Sequence, residues 1–242
     1  MPEVLRERRR PTVRQGMLVA GIVLMLVAYP LLSNAAVEHL GVRTTAMLLA
    51  TIAMPTLVLA GRSVAVAFGA RASVGWAPVL LVLVAAATGD RRWLLLVPAA
   101  VHLVIFELFR GSLRGPVSMV ELGARFLEPY APAFIGPYCR KVTIVWCGFF
   151  LANAVAITAL ALASPVGWWE RYTGWIGYVL LGVIATVEFL VRKWWFRYYF
   201  YWTPFDRLWA MLFPAENTPE GRRSMEYIMR TREELRRQGR PR

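Results

Sequence analysis

Residues 188–202 read EFLVRKWWFRYYFYW: an acidic residue, then Arg192, Lys193 and Arg197 threaded through nine aromatic side chains. Such a stretch suits a nucleic-acid platform, a catalytic site or a helix leaving a membrane. The preceding residues decide, because 173–191 is an apolar run whose one formal charge, Glu188, lies near its end. Tryptophan and tyrosine gather at headgroup level, since each joins an apolar ring to a polar handle, while Arg and Lys reach out to phosphates. The stretch therefore reads as an interfacial anchor on the cytosolic side of a membrane span.

The rest of the chain agrees. Of 242 residues 57% are hydrophobic and 18% charged, with a mean hydropathy of +0.47, too apolar for a water-soluble domain of this size. Gly16 to Val37 runs 22 residues without a formal charge, enough at about 1.5 Å per residue to cross a hydrocarbon core of roughly 30 Å. The expected fold is an all-α integral membrane protein with about six transmembrane helices, at 17–37, 44–61, 73–89, 93–109, 142–163 and 173–191. Around this membrane domain, 17–191, lie a basic N-terminus (1–16), a loop (110–141), the anchor (192–216) and a basic tail (217–242). The first run is longer than a signal-peptide h-region and lacks a sharp c-region, so it reads as a retained span rather than one cut after Ala35.

The net charge of +13 invites a nucleic-acid reading, but its distribution argues otherwise. With a cytosolic N-terminus, 24 of the 28 Lys and Arg residues fall on the cytosolic side, leaving Arg43, Arg91, Arg92 and Arg171 opposite. That is the positive-inside bias, with both termini cytosolic and no nucleic-acid partner expected. Cys139 and Cys147 lie eight apart and offer neither a disulfide framework nor a CxxC pair.

Each of the first four spans has an internal proline, Pro30, Pro55, Pro78 and Pro98, so this half is expected to bend. The third span, with Arg71 and Asp90 at its ends, reads as tilted or re-entrant. Ala152, Ala156 and Ala163 on the fifth span and Gly174, Gly177 and Gly182 on the sixth have the spacing of a close helix contact. In the loop, Ser118 and Glu121 form a capping-box pattern that predicts a short interfacial helix from Met119, ended by Pro129, with Pro132 and Pro137 keeping the remainder of the loop from being one helix. In the tail, Thr218 as N-cap and Pro219 at the first helical position predict a basic cytosolic helix, weakly amphipathic through Met225, Ile228, Met229 and Leu235.

Polar groups inside spans are the candidate site residues. His102 and Asn153 sit near the centres of spans four and five; they either face a substrate polar group or make a buried interhelical hydrogen bond. Glu107 and Glu188 lie about one turn inside their spans. Arg110 and Arg192 come three and four residues after them, the spacings of helical ion pairs; the sharper alternative is a shared acidic pocket closed by Arg140. GxSxG, P-loop, HExxH and the His-x4-Asp of glycerolipid acyltransferases are missing, and neither metal nor cofactor is expected.

The stretch YCRKVTIVWCGFFLANAVAI (138–157), with Trp168, Trp169 and EFLVRKWWF (188–196) after it, resembles a family of bacterial inner-membrane proteins associated with aryl polyene and xanthomonadin-type pigment and lipid biosynthesis clusters. The resemblance covers about 93–197 and rests on Tyr138, Arg140, Thr143, Trp146, Phe150, Asn153, Glu188 and Arg192. It implies the bacterial inner membrane and a lipid context, and brings no established reaction; a ketosynthase role is unsupported, for want of its soluble catalytic body. The pocket candidates are Glu107, Tyr138, Arg140, Thr143, Asn153, Glu188 and Arg192. The expected role is an accessory protein, non-enzymatic, that organises or hands over acyl or polyene lipid at the cytosolic face, with membrane lipids and an acyl carrier protein or acyltransferase as partners. The alternatives are a small intramembrane acyl-transfer or lipid-modifying enzyme using His102 with Glu107, and a lipid exporter or flippase subunit.

Overall fold

Prolines and capping side chains set where the helices begin and end. The computed structural model describes residue 29 and residues 35–51, 76–127, 130–200 and 203–238, and among them no strand occurs. The elements are α1 (Ala77–Thr88), α2 (Arg91–Leu95), α3 (Val97–Ser112), α4 (Met119–Leu127), α5 (Gly136–Ala163), α6 (Val166–Arg171), α7 (Gly177–Phe196), α8 (Pro204–Leu212) and α9 (Pro219–Arg237). Among the described residues, three helical stretches are long and apolar enough to cross a membrane, Arg91–Ser112, Ala133–Ala163 and Val166–Phe196. They correspond to the last three expected spans. The first two spans fall largely outside the described residues, with Pro30, Pro55, Arg62, Arg71 and the N-terminus. Of the third, α1 has 12 residues, about 18 Å of helix, short of a bilayer core by itself.

The fifth span starts earlier than expected. Pro137 lies in the first turn of α5, where its missing N–H removes no intrahelical bond, so it does not interrupt the helix. The sixth contains a π-helical turn, Tyr172–Ile176, and continues to Phe196, taking in the first part of the anchor. Val179, Leu180, Leu181, Val183, Val187 and Val191 are exposed along α7. This apolar flank suits lipid contact.

The chain divides into two compact units, Met1–Met119 with Thr143–Val179, and Val120–Val142 with Leu180–Arg242. In the first, Gly89 at φ +74° closes α1, donating its N–H to Ala85, and Asp90 then caps α2 by accepting from the Arg92 N–H at 2.9 Å. A side chain other than glycine would be strained there. Pro98 has no N–H to give the Leu94 carbonyl, and the helix is interrupted at Leu96. The Tyr29 hydroxyl donates to the Leu94 carbonyl at 3.1 Å, and the Trp169 indole to that of Leu95 at 3.0 Å. Neighbouring side chains thus take up carbonyls at the break, as a proline-containing membrane helix requires. Trp169 is fully buried among Leu95, Ala99, Ile157 and Ala161.

The small-residue contact differs from expectation. Ala152, Ala163 and Gly182 are exposed, and a methyl added at Gly174 would meet open space. The buried face of α5 is instead Phe150, Asn153, Ala154, Ile157 and Ala161, and of the glycines only Gly177 lies close to it, 3.9 Å from Asn153 Oδ1 by its would-be Cβ.

In the second unit, Ala124, Ala131, Ile135, Cys139 and Phe196 form the core. α4 starts at Met119 as expected, but without the capping box. The Ser118 hydroxyl is buried without a hydrogen-bond partner, and in the first unit the Met119 N–H donates to Ser112 Oγ at 2.9 Å. Glu121 accepts from Arg125 one turn on, at 2.9 and 2.7 Å. α9 has the expected Thr218 cap and Pro219 start, but its inner face is Gly221, Ser224, Ile228, Thr231 and Leu235, while Met229 is exposed. Small residues alternating with Ile and Leu at steps of three and four let this helix pack closely.

Candidate functional site

The intramembrane candidates belong to the first unit. His102 is half-buried on α3, its Nδ1 2.8 Å from the Pro98 carbonyl and its ring 6.1 Å from that of Phe150. A carbonyl only accepts, so Nδ1 carries a proton in this hydrogen bond. Phe150 also meets Phe109 at 5.1 Å and Trp146 at 5.6 Å, so the polar edge of His102 sits beside an aromatic cluster. Asn153 is buried; its amide donates to the Phe149 carbonyl at 2.9 Å and its Oδ1 accepts from the Tyr172 hydroxyl at 3.0 Å. An interhelical hydrogen bond is therefore present, but the partner of Asn153 is Tyr172, on the π-turn, and not His102. Glu107 is held by Arg110 three residues on, in the expected pairing. Thr143 is fully buried at the unit's edge in the sequence.

The second unit gathers the remaining candidates. Glu188 pairs with Arg192 at 3.1 Å, with side chains 15% and 11% exposed. The Tyr138 hydroxyl points to the Glu188 carbonyl at 3.5 Å, and its ring stands edge-on to Phe196 at 5.4 Å. Arg140 is half-buried. Cys139, fully buried, lies in the electrostatic field of Arg192, Glu121, Glu188 and Arg125. Beside this cluster, Pro132, Ile135, Arg192, Lys193, Phe196 and Tyr198 line a cavity of about 10 Å³, the size of one water molecule.

The aromatic anchor divides into two groups. Trp194 and Trp195 are exposed, while Phe196, Arg197, Tyr198 and Tyr199 are buried. The helix ends at Arg197, whose φ of +48° is left-handed and costs a non-glycine residue about 1 kcal/mol. Its guanidinium offsets that strain by donating to the Pro214 carbonyl. Past this turn, the Tyr198 hydroxyl donates to the Tyr130 carbonyl at 2.6 Å and that of Tyr199 to Phe213 at 2.9 Å. Burial, helped by Asp206, pushes the Tyr199 hydroxyl up to about 12. Tyr201 and Trp202 lie outside the described residues.

Sequence reasoning missed a buried ion pair. Lys193 Nζ is 3.0 Å from Asp206 Oδ1 and 3.0 Å from the Tyr198 carbonyl, with side chains 9% and 3% exposed. Asp206 also closes a capping box with Thr203 at the start of α8. The Thr203-Pro204-x-Asp206 signal was legible, as its counterpart at Thr218-Pro219 was, but it did not reveal the lysine 13 residues upstream.

The tail's cations are also engaged. Arg223 lies over the Phe134 ring at 4.6 Å, Arg232 donates to the Phe200 carbonyl at 2.7 Å, and Arg222 to that of Glu216 at 2.8 Å. Among the described residues no group of three His, Cys, Asp or Glu side chains converges as a metal site. No protein-family model matches this sequence, and comparison with curated proteins and with solved structures returned no match.

Proposed function

We propose that the chain is an accessory membrane protein that holds acyl-chain lipid, of the acyl or polyene kind implied by the resemblance of 93–197, and hands it over without a reaction of its own. The observation that carries this reading is the local pairing of the charged candidates. Glu107 is engaged by Arg110, Glu121 by Arg125 and Glu188 by Arg192, each at a step of three or four residues. Carboxylates neutralised within a helical turn orient polar headgroups better than they abstract protons, since general-base catalysis needs a group within reach of the substrate proton. The apolar flank of α7 supplies the acyl-chain surface. The charge distribution supports both termini being cytosolic, and the resemblance implies a bacterial inner membrane, where an acyl carrier protein or acyltransferase would be the donor or acceptor.

Intramembrane acyl transfer is the second reading, favoured by His102, whose ring is oriented by the Nδ1 hydrogen bond to the Pro98 carbonyl. A photoactivatable acyl-chain phospholipid, supplied to membranes containing the full chain, separates the two when lipid output is measured in parallel. The accessory reading expects a lipid crosslink that weakens in E188Q/R192Q, and output within a few fold of wild type in H102Q. Absence of any crosslink would overturn it. Loss of output in H102Q, with the protein still accumulating in the membrane, would transfer the assignment to the enzyme.

A further inference from the structure

α8 is clamped on one side and bare on the other. Asp206 is buried against Lys193, and Trp209 is half-buried, stacked on Phe205 at 5.4 Å and against Phe213 at 4.9 Å. The far end is tied back by the Tyr199 hydroxyl on the Phe213 carbonyl and the Arg197 guanidinium on that of Pro214. These ties fix the roll of the helix, and the face they leave outward is Phe205, Leu208, Met211 and Leu212. Leu208 is 56%, Met211 80% and Leu212 62% exposed. At 100° per residue these four share one side, with the exposed Arg207 at its edge.

We infer that α8 lies in the plane of the membrane interface, with Phe205, Leu208, Met211 and Leu212 among the acyl chains of the bilayer that α7 crosses. The occupant is fixed by the depth of α8 along α7. The Phe205 ring is 5.8 Å from that of Phe189, seven residues before the end of α7. Seven residues are about 10 Å of helix, so the start of α8 runs beside the last turns of the span. The exposed Trp194 and Trp195 are nearer the helix end than Phe189, at the level where an aromatic belt marks the headgroups. A helix starting beside Phe189 is thus on the hydrocarbon side of that belt, and Arg207 at the edge of its face reaches back to phosphate. The anchor is accordingly built from α8 and the two tryptophans, while Tyr198 and Tyr199 serve as internal ties.

The test places an environment-sensitive fluorophore on M211C, and separately on L208C, in the full chain reconstituted into phosphatidylcholine/phosphatidylglycerol vesicles. The unsubstituted chain corrects for labelling of the buried Cys139 and Cys147. Met211 is the more exposed position, so M211C tests the face without disturbing packing. The expected result is blue-shifted emission, loss of fluorescence to nitroxide carried on the upper acyl chain, and protection from aqueous iodide, placing the probe about 5–10 Å into the headgroup and acyl boundary. Iodide quenching without nitroxide quenching would overturn the inference by putting the face in water. Protection from both quenchers would overturn it equally, by showing that a second copy or another protein covers the face.

Discussion

Replacing Lys193 with Met should release α8 while leaving the long helices in place. The lysine Nζ makes two 3.0 Å contacts, to Asp206 Oδ1 and to the Tyr198 carbonyl. Its loss strands a carboxylate whose side chain is 3% exposed and whose other hydrogen bond comes from the Thr203 N–H at 3.3 Å. Breaking one partner of a buried pair costs roughly 3–5 kcal/mol. At about 1.4 kcal/mol per decade, amide-exchange protection across 204–212 should fall roughly a hundred- to several-thousandfold if these amides exchange by local opening. K193M/D206L, which removes both charges, should recover most of that protection, because an apolar pair of similar size needs no compensating charge. The assay is hydrogen exchange with mass spectrometry on the full chain in lipid nanodiscs, run as a double-mutant cycle. A loss below about fivefold in K193M, near 1 kcal/mol, would refute the claim that this pair holds the helix. So would a double variant no better protected than the single one.

Trp169→Phe, which keeps the ring but loses the hydrogen bond to the Leu95 carbonyl, should cost about 1 kcal/mol, and Trp169→Ala roughly 3–5 kcal/mol, read as ordered shifts in thermal unfolding in detergent. Tyr199 should make the tail pH-sensitive at the alkaline end: its folded pKa, about 12, lies above the usual value. Its contribution is therefore complete below about pH 10 and lost as pH rises through the folded value, a loss measurable as weakened exchange protection at 213–216 that Tyr199→Phe abolishes. Fusions after Asp90 and Glu170 should report the outside and those after Gly115 and Arg242 the inside; a cytosolic report from Asp90 would remove the third span. Glu107→Gln and Glu188→Gln should each leave lipid output within a few fold if these carboxylates only make local pairs, and complete loss with normal accumulation would refute that reading.

Signals that act over one helical turn were readable from residue order. They include the Thr218-Pro219 start and the pairs Glu107–Arg110 and Glu188–Arg192 at steps of three and four. The membrane-class composition was equally plain, because uncharged runs of span length depend on nothing but order along the chain. Pro137 shows where such signals mislead: a proline breaks a helix from the interior but not from the first turn, and residue type alone does not say which applies.

Tertiary structure decided what meets across long separations. The carbonyls at the Leu96 break attract the Tyr29 hydroxyl and the Trp169 indole, 65 and 74 residues away in the chain. Asn153 found Tyr172 because a π-turn brings that hydroxyl to it, although both it and His102 looked alike as polar groups at mid-span. The left-handed turn at Arg197 decided the fate of the aromatic stretch, sending Tyr198 and Tyr199 inward and leaving Trp194 and Trp195 outside. Composition marks a side chain as suited to an interface, but which of its neighbours shares that surface depends on the direction the backbone takes after the helix ends. That direction is set by partners such as Asp206 and the Pro214 carbonyl, whose positions exist only once the chain has folded.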